Sequence, residues 1–190
     1  LAQSSLGDCY FYGNGVAKDF EKAVKYYTMA ADSGNEWALN KLANCYYYGD
    51  GVEQDEAKAI EYFTKSAEAG NKNSMCRLGD CYYYGRGAEQ NYEKAFEYYT
   101  MAAEAGHNVA KCNLGNCYFN GYGVEQNYEK AIEWYTKAAE KGNAWAQDNL
   151  GSFYEYGKGV EKDINKAIEW YTKAASKGNK HANTRLSRLK

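Results

Sequence analysis

A motif of the form Leu-Gly-x-Cys-Tyr-x-x-Gly-x-Gly-Val recurs with its leucine at Leu6, Leu42, Leu78, Leu114 and Leu150, a constant step of 36 residues. A fixed period of this length marks a repeat array, in which one supersecondary unit is copied and no copy can bury its apolar surface alone. Counted from the leucine of each unit, glycine belongs at positions 2, 8, 10 and 29, and the 19 glycines of the chain fill those slots with one exception, Ala43. No glycine is left over for a phosphate-binding loop, a hinge or a linker. The units are 6–41, 42–77, 78–113, 114–149 and 150–185, with partial helices at both ends, and 1–190 reads as a single repeat domain.

Within a unit the apolar residues run twice at helical spacing, on either side of Gly-x-Gly. In the second unit Ala38, Leu42, Cys45, Tyr46 and Gly49 form one stripe, which predicts a helix from about Glu36 to Tyr48, termed A. Gly49 and Gly51 stop it, since glycine accepts a positive φ. Asp55 then starts helix B as its N-cap, a role shared by Asp19, Asn91, Asn127 and Asp163, and Ala59, Ile60, Phe63 and Ala67 form the stripe of B up to Gly70. The prediction is an all-α chain of helical hairpins that must stack. Glycine at position 2 lies inside helix A, where it costs about 1 kcal/mol against alanine, so a close helix contact is expected there. The absence of proline fits, because no helix needs breaking except by glycine.

The net charge is −2, and the 23 basic residues are spread through every unit, which argues against nucleic acid as a partner. No apolar run approaches the length of a membrane span, so membrane insertion is not expected. An opening at Leu1 inside a helical pattern, without Met, reads as an excised or processed segment.

The sequence Leu-Gly-x-x-Tyr-x-x-Gly-x-Gly-Val-x-x-Asp, followed by Lys-Ala-Ile-Glu-Trp-Tyr-Thr-Lys-Ala-Ala in the fourth and fifth units, closely resembles the Sel1-like repeat family, relatives of the tetratricopeptide repeats. The likeness runs from Ala2 to Leu186, with minor departures at Ala43, Ala88, Phe153 and Asn165. The resemblance implies a right-handed α-solenoid of stacked antiparallel hairpins, with A helices on a concave face and B helices on the convex one. It also implies an adaptor or scaffold, as members serve degradation complexes, bacterial signalling, envelope assembly and host interaction.

Four of the six cysteines, Cys9, Cys45, Cys81 and Cys117, share position 4 with Phe153, so they are expected to be buried small hydrophobes. Cys76 and Cys112 share position 35 with Asn40, Asp148 and Thr184, and that polar company predicts partial exposure. All six are expected to be free, which favours a cytoplasmic setting; the family's cysteine-rich branch pairs two per unit at a spacing this chain lacks. His107 takes a slot otherwise filled by Asn35, Asn71, Asn143 and Asn179, a turn or capping role. With His181 it completes the histidines, too few and too scattered for a zinc site. Gly157-Lys158-Gly159 lacks the Walker spacing. No catalytic residue, metal or cofactor is expected, and the chain reads as no enzyme.

A second stripe runs along the A helices at positions 32, 35, 36, 3, 6 and 7, where aromatic residues stand beside amides and charges. It reads Phe11 and Tyr12; Trp37, Lys41, Asn44, Tyr47 and Tyr48; Arg77, Asp80, Tyr83 and Tyr84; Asn113, Asn116, Phe119 and Asn120; then Trp145 and Tyr156. Tyr, Trp and Arg bury much area while keeping a polar handle, which is why they concentrate in binding hot spots. About half of these aromatics are expected to be partly exposed. The expected function is a scaffold that binds a protein or peptide segment on this face; the alternative is a structural module that stacks end to end on itself.

Overall fold

The computed structural model describes residues 2–189; the helix start read at Leu1 and the array end read at Lys190 lie outside them. Among the described residues there are eleven α-helices and no strand: α1 (Ala2–Tyr12), α2 (Phe20–Ala31), α3 (Glu36–Tyr48), α4 (Glu56–Glu68), α5 (Lys72–Tyr84), α6 (Tyr92–Glu104), α7 (Asn108–Asn120), α8 (Tyr128–Glu140), α9 (Ala144–Tyr156), α10 (Ile164–Ser176) and α11 (Lys180–Leu189). Odd-numbered helices are A helices and even-numbered ones B helices. The chain divides into two compact units, Leu1–Tyr98 and Tyr99–Lys190, with the division inside α6.

The local signals act where the spacing places them. Gly49 ends α3 in the left-handed region at φ 78°, and Asp55 opens α4 with its side chain accepting a hydrogen bond from the Lys58 N–H at 2.9 Å. Asp19, Asn91, Asn127 and Asp163 accept in the same way from the amide three residues on. His107 caps α7 through Nδ1, which accepts from the Ala110 N–H at 3.1 Å. These caps satisfy amides that a helix start otherwise leaves unpaired.

In the unit Leu1–Tyr98 the core gathers Ala23, Tyr27 and Ala30 of α2 with Ala38, Leu42 and Cys45 of α3. In the unit Tyr99–Lys190 the same positions recur as Ala131, Tyr135 and Ala138 with Ala146, Leu150 and Phe153. Each fully buried leucine of this lattice contributes about 1.5–3 kcal/mol. Cys45, Cys81 and Cys117 are buried in it as expected, while Cys9 is half-buried, as no B helix precedes α1 among the described residues.

The glycine at position 2 makes room for one ring. A Cβ on Gly115 would stand 2.7 Å from two ring carbons of Tyr135, and one on Gly151 would stand 2.5 Å from two of Tyr171; Gly7 faces Tyr27 in the same way at 2.6 Å. The tyrosine hydroxyls continue past the glycine to an A-helix acceptor: Tyr27 to Asp8 at 2.7 Å, Tyr135 to Asn116 at 2.6 Å and Tyr171 to Glu155 at 2.7 Å. In the second unit both partners change together, Ala43 standing for glycine and Phe63 for tyrosine, and both are fully buried. With no hydroxyl to receive, Asn44 donates instead to the Asn40 carbonyl at 2.7 Å.

The glycine at position 10 has a second role besides its turn. A Cβ on Gly87 would lie 2.5 Å from the carbonyl oxygen of Glu56, and one on Gly51 would meet the backbone of Phe20. The loops at Gly51 and Gly87 therefore rest on the B-helix start of the hairpin before them, at a distance that excludes a side chain.

Position 35 departs from expectation. Cys76 and Cys112 are both buried, each 4% exposed, and so are Asn40 and Asp148. The polar residues are tolerated because the fold brings them partners: Asn40 donates to the Ser74 hydroxyl at 2.8 Å, Ser74 to Ser66 and Ser66 to the Glu36 carbonyl, while Asp148 lies 3.5 Å from Arg185. All six cysteines are free thiols, and burial pushes the thiols of Cys45, Cys76, Cys81, Cys112 and Cys117 up to about 12.

Candidate partner-binding face

The A-helix stripe separates into two layers according to position. The aromatics at position 7, Tyr12, Tyr48, Tyr84 and Tyr156, are 53–60% exposed, and Trp37 and Trp145 at position 32 are 41% and 58% exposed. Those at position 6 are half-buried and wedge into their own hairpin. Phe11 meets Phe20 with ring centroids 5.1 Å apart, Tyr47 meets Phe63 at 6.4 Å, Tyr83 meets Tyr92 at 5.3 Å and Phe119 meets Tyr128 at 5.6 Å. Six of the ten aromatics are thus open to water and four hold the hairpins together.

Cations stitch tyrosines of both layers across successive hairpins. Lys41 donates to the Tyr12 hydroxyl at 2.7 Å while its ammonium lies 4.6 Å from the Trp37 ring centroid, and Trp37 donates to Asp8 at 3.2 Å. Arg86 donates to Tyr47 at 2.8 Å, and Arg188 donates to Tyr156 at 3.0 Å and pairs with buried Glu155. Arg77 is paired with Asp80 on its own helix at 3.9 Å. Asn113 is half-buried.

Two of the residues on this face come from a place the stripe omitted. Arg86 and Lys158 occupy position 9, the x of Gly-x-Gly, and both reach the A helix of the hairpin before: Arg86 touches Tyr47, and Lys158 stands 5.0 Å from the Phe119 ring centroid. The signal was present in the sequence. Between two fixed glycines this position reads Asn14, Asp50, Arg86, Tyr122 and Lys158, with no residue type held constant.

In the unit Tyr99–Lys190 the face opens into a cavity of about 270 Å³. Its apolar part is Phe119 and Phe153, whose rings meet edge to face at 5.4 Å, beside Tyr135. Its polar part is made of Asn116, Asn120, Asn149, Ser152, Lys158 and Arg185. Asn116 Oδ1 accepts from both Tyr135 and the Asn149 amide, the latter at 3.3 Å, and Asn120 donates to the Asn116 carbonyl at 2.9 Å. Among the described residues no group of three His, Cys, Asp or Glu side chains is placed to hold a metal ion, and no helix is long and apolar enough to cross a membrane.

Paired helices stacked on a fixed repeat, with aromatic residues left in water along the A helices, define an all-α solenoid repeat protein. The family follows from comparison: a model of the Sel1 repeat matches residues 1–35, 38–71, 72–107, 108–143 and 146–179, and the chain belongs to the Sel1 repeat family. Such proteins are in general interaction scaffolds that bind other proteins and carry no catalytic activity. The chain is similar to a protective antigen present in uropathogenic Escherichia coli strains, at 36% identity and a TM-score of 0.93, covering 99% of this chain and 40% of the antigen. It is also similar to a Sel1 repeat protein from Oxalobacter formigenes, at 33% identity and a TM-score of 0.92, covering 98% of this chain and 74% of that one. The Helicobacter pylori cysteine-rich protein B is 26% identical over 68% of this chain and 92% of its own, with a TM-score of 0.55. Comparison with curated proteins finds no match.

Proposed function

We propose that the A-helix face docks an extended segment of a partner protein, each compact unit offering its own stretch: Tyr12, Trp37, Tyr48 and Tyr84 in one, Trp145, Tyr156 and the cavity beside Phe119 in the other. The observation behind this reading is the exposure of six large aromatics at two positions of the repeat, 41–60% each. Aromatic surface left in water gains free energy when a partner covers it, and the cations and amides between the rings supply hydrogen bonds to a peptide backbone. An affinity near 1 μM, about 8 kcal/mol, is ordinary for this arrangement.

The test uses the exposed layer, because Tyr47, Tyr83 and Phe119 are part of the packing. The chain is immobilised, exposed to an extract of its native cell, and compared with Tyr48→Ala/Tyr84→Ala and Trp145→Ala/Tyr156→Ala variants. At least one variant is expected to lose a protein that the parent retains, with an unchanged far-ultraviolet circular dichroism spectrum. Full retention by both variants moves the partner site off the A helices.

A further inference from the structure

The chain holds two Asn-Gly pairs, Asn14-Gly15 and Asn120-Gly121, and one Asp-Gly pair, Asp50-Gly51. Glycine on the C-terminal side leaves the peptide nitrogen unhindered, so that nitrogen can attack the side-chain carbonyl carbon one residue back. The attack needs an N–H that is not held in a hydrogen bond, a side-chain amide free to turn, and room for the five-membered ring that forms. All three pairs lie at the turn between helices A and B, and the fold treats them differently.

At Asn14 all three conditions are met. Asn14 and Gly15 are both exposed. The Asn14 N–H donates to the Cys9 carbonyl at 2.9 Å and anchors the turn, whereas neither the Asn14 side chain nor the Gly15 N–H has a hydrogen-bond partner among the described residues. A Cβ built on Gly15 would meet no atom within 4 Å, so the ring has space. Asn120 is held at both reacting groups: its Nδ2 donates to the Asn116 carbonyl at 2.9 Å, and the N–H of Gly121, the C-cap of α7, donates to the Cys117 carbonyl at 2.8 Å. Asp50 is closed in, because a Cβ on Gly51 would collide with the Phe20 backbone, and a carboxylate is a poorer acyl acceptor than an amide. The difference follows from place in the array: the loop at Gly51 rests on a preceding hairpin, while among the described residues none precedes α1.

We infer that Asn14 is a self-modification site of the folded chain, where the Gly15 nitrogen closes on the side chain and water converts it to aspartate and isoaspartate. The Gly15 amide gives its proton to hydroxide, and its nitrogen forms a bond to Asn14 Cγ. The Cγ–Nδ2 bond breaks, and Nδ2 takes a proton from water and leaves as ammonia. A second water opens the cyclic imide: cleavage of the new Cγ–N bond leaves aspartate, and cleavage at the main-chain carbonyl leaves isoaspartate, with the backbone routed through Cγ. The balance is an amide and water in, a carboxylate and ammonium out. Either product adds one negative charge to a chain of net charge −2, and gives position 9 of the first unit the carboxylate that the second unit encodes as Asp50. Isoaspartate also lengthens by one atom a turn in which Gly13 and Asn14 both donate to the Cys9 carbonyl. The site stands apart from the proposed docking role of the A-helix face and does not depend on it.

The test is a time course of the 190-residue chain in mildly alkaline buffer, read by proteolytic peptide mapping with chromatography and mass spectrometry that separate aspartate from isoaspartate. The peptide holding Asn14 is expected to convert to both products at least about tenfold faster than the peptide holding Asn120, whose release breaks two hydrogen bonds. The rate is expected to rise in proportion to hydroxide. Isoelectric focusing is expected to show a parallel acidic shift, which Asn14→Gln removes because its longer side chain closes a six-membered ring far less readily. In guanidinium the two asparagines are expected to converge on one rate. Equal rates in the folded chain, or an Asn120 that stays slow in guanidinium, would show that the fold does not choose between them. An Asn14 that converts only in guanidinium overturns the open turn, and aspartate without isoaspartate overturns the ring.

Discussion

The pairing of glycine at position 2 with a tyrosine ring makes a coupled prediction that can be worked through at Gly115 and Tyr135. In Gly115→Ala the new Cβ would lie 2.7 Å from Cδ1 and Cε1 of Tyr135, against an ordinary contact of about 3.4–4 Å, so the ring must retreat by roughly 0.7 Å or more. It cannot retreat freely, because its hydroxyl is tied to Asn116 at 2.6 Å. Overpacking of this kind costs about 1–3 kcal/mol, and weakening the buried hydroxyl bond adds about 1 kcal/mol. Alanine returns about 1 kcal/mol of helix propensity. The net expectation is a loss of about 2 kcal/mol. Tyr135→Phe alone is expected to lose about 1 kcal/mol, the worth of one neutral hydrogen bond. The double variant recreates the combination that the second unit uses, Ala43 with Phe63, and frees the ring to slide. It is therefore expected to be more stable than the sum of the singles by at least about 1 kcal/mol, well above the 0.3–0.5 kcal/mol scatter of independent sites. The measurement is urea unfolding followed by circular dichroism on the four chains of the cycle, compared at equal m-value because repeat arrays depart from two-state behaviour. Additive singles would show that the ring and the glycine do not constrain each other, and a neutral Gly115→Ala would remove the close contact itself.

Three further outcomes follow from burial. Thiol labelling of the native chain at pH 8 should modify Cys9 alone at appreciable rate, and all six in denaturant. Because the folded thiols of Cys45, Cys76, Cys81, Cys112 and Cys117 titrate near 12 and unfolded ones near 9, stability is full below pH 9 and is lost as pH rises toward 12; a flat melting temperature across that window would contradict their burial. Asp148 is held above the usual carboxylate range, by burial first, with Arg185 opposing it. A raised carboxyl binds its proton more tightly when folded, so its contribution is present at low pH and declines as pH rises past the unfolded value of about 3.9. Asp148→Asn, the residue that Asn40 places at the same position, should flatten this decline in a pH series of thermal melts; an unchanged profile would show that Asp148 does not drive it.

The helices were legible almost to the residue, since Glu36–Tyr48 is where the stripe and Gly49 put helix A. The reason is that caps and left-handed turns are local: Asp55 and Gly49 act on backbone a few residues away, and spacing alone identifies them. What spacing misjudged was position 35. The polar character of Asn40 and Asp148 suggested exposure for Cys76 and Cys112, but burial there depends on Ser74 and Arg185 arriving from the next hairpin, 34 and 37 residues on. The partner of glycine 2 was also out of local reach, 20 residues on in the same hairpin, although the joint change to Ala43 and Phe63 in one unit held the clue. On the candidate face, periodicity grouped positions 6 and 7 on one side of the A helices and could not separate them, because adjacent residues share a stripe and differ only in which one the following B helix covers. The cavity arises from an exception to the period, Asn120, together with Lys158 from a loop position that varies freely.

The glycine loops that rest on the preceding hairpin have a consequence for how such a chain changes over generations. Gly51 meets Phe20 and Gly87 meets Glu56, and in both cases the two partners are 31 residues apart. Removing or duplicating a whole 36-residue block leaves each surviving loop beside an equivalent partner, whereas adding a single residue between them sets a loop against the wrong backbone. Length in this family should therefore be inherited in whole steps, like links of a chain, while the side chains that meet a partner remain free to be rewritten within each link.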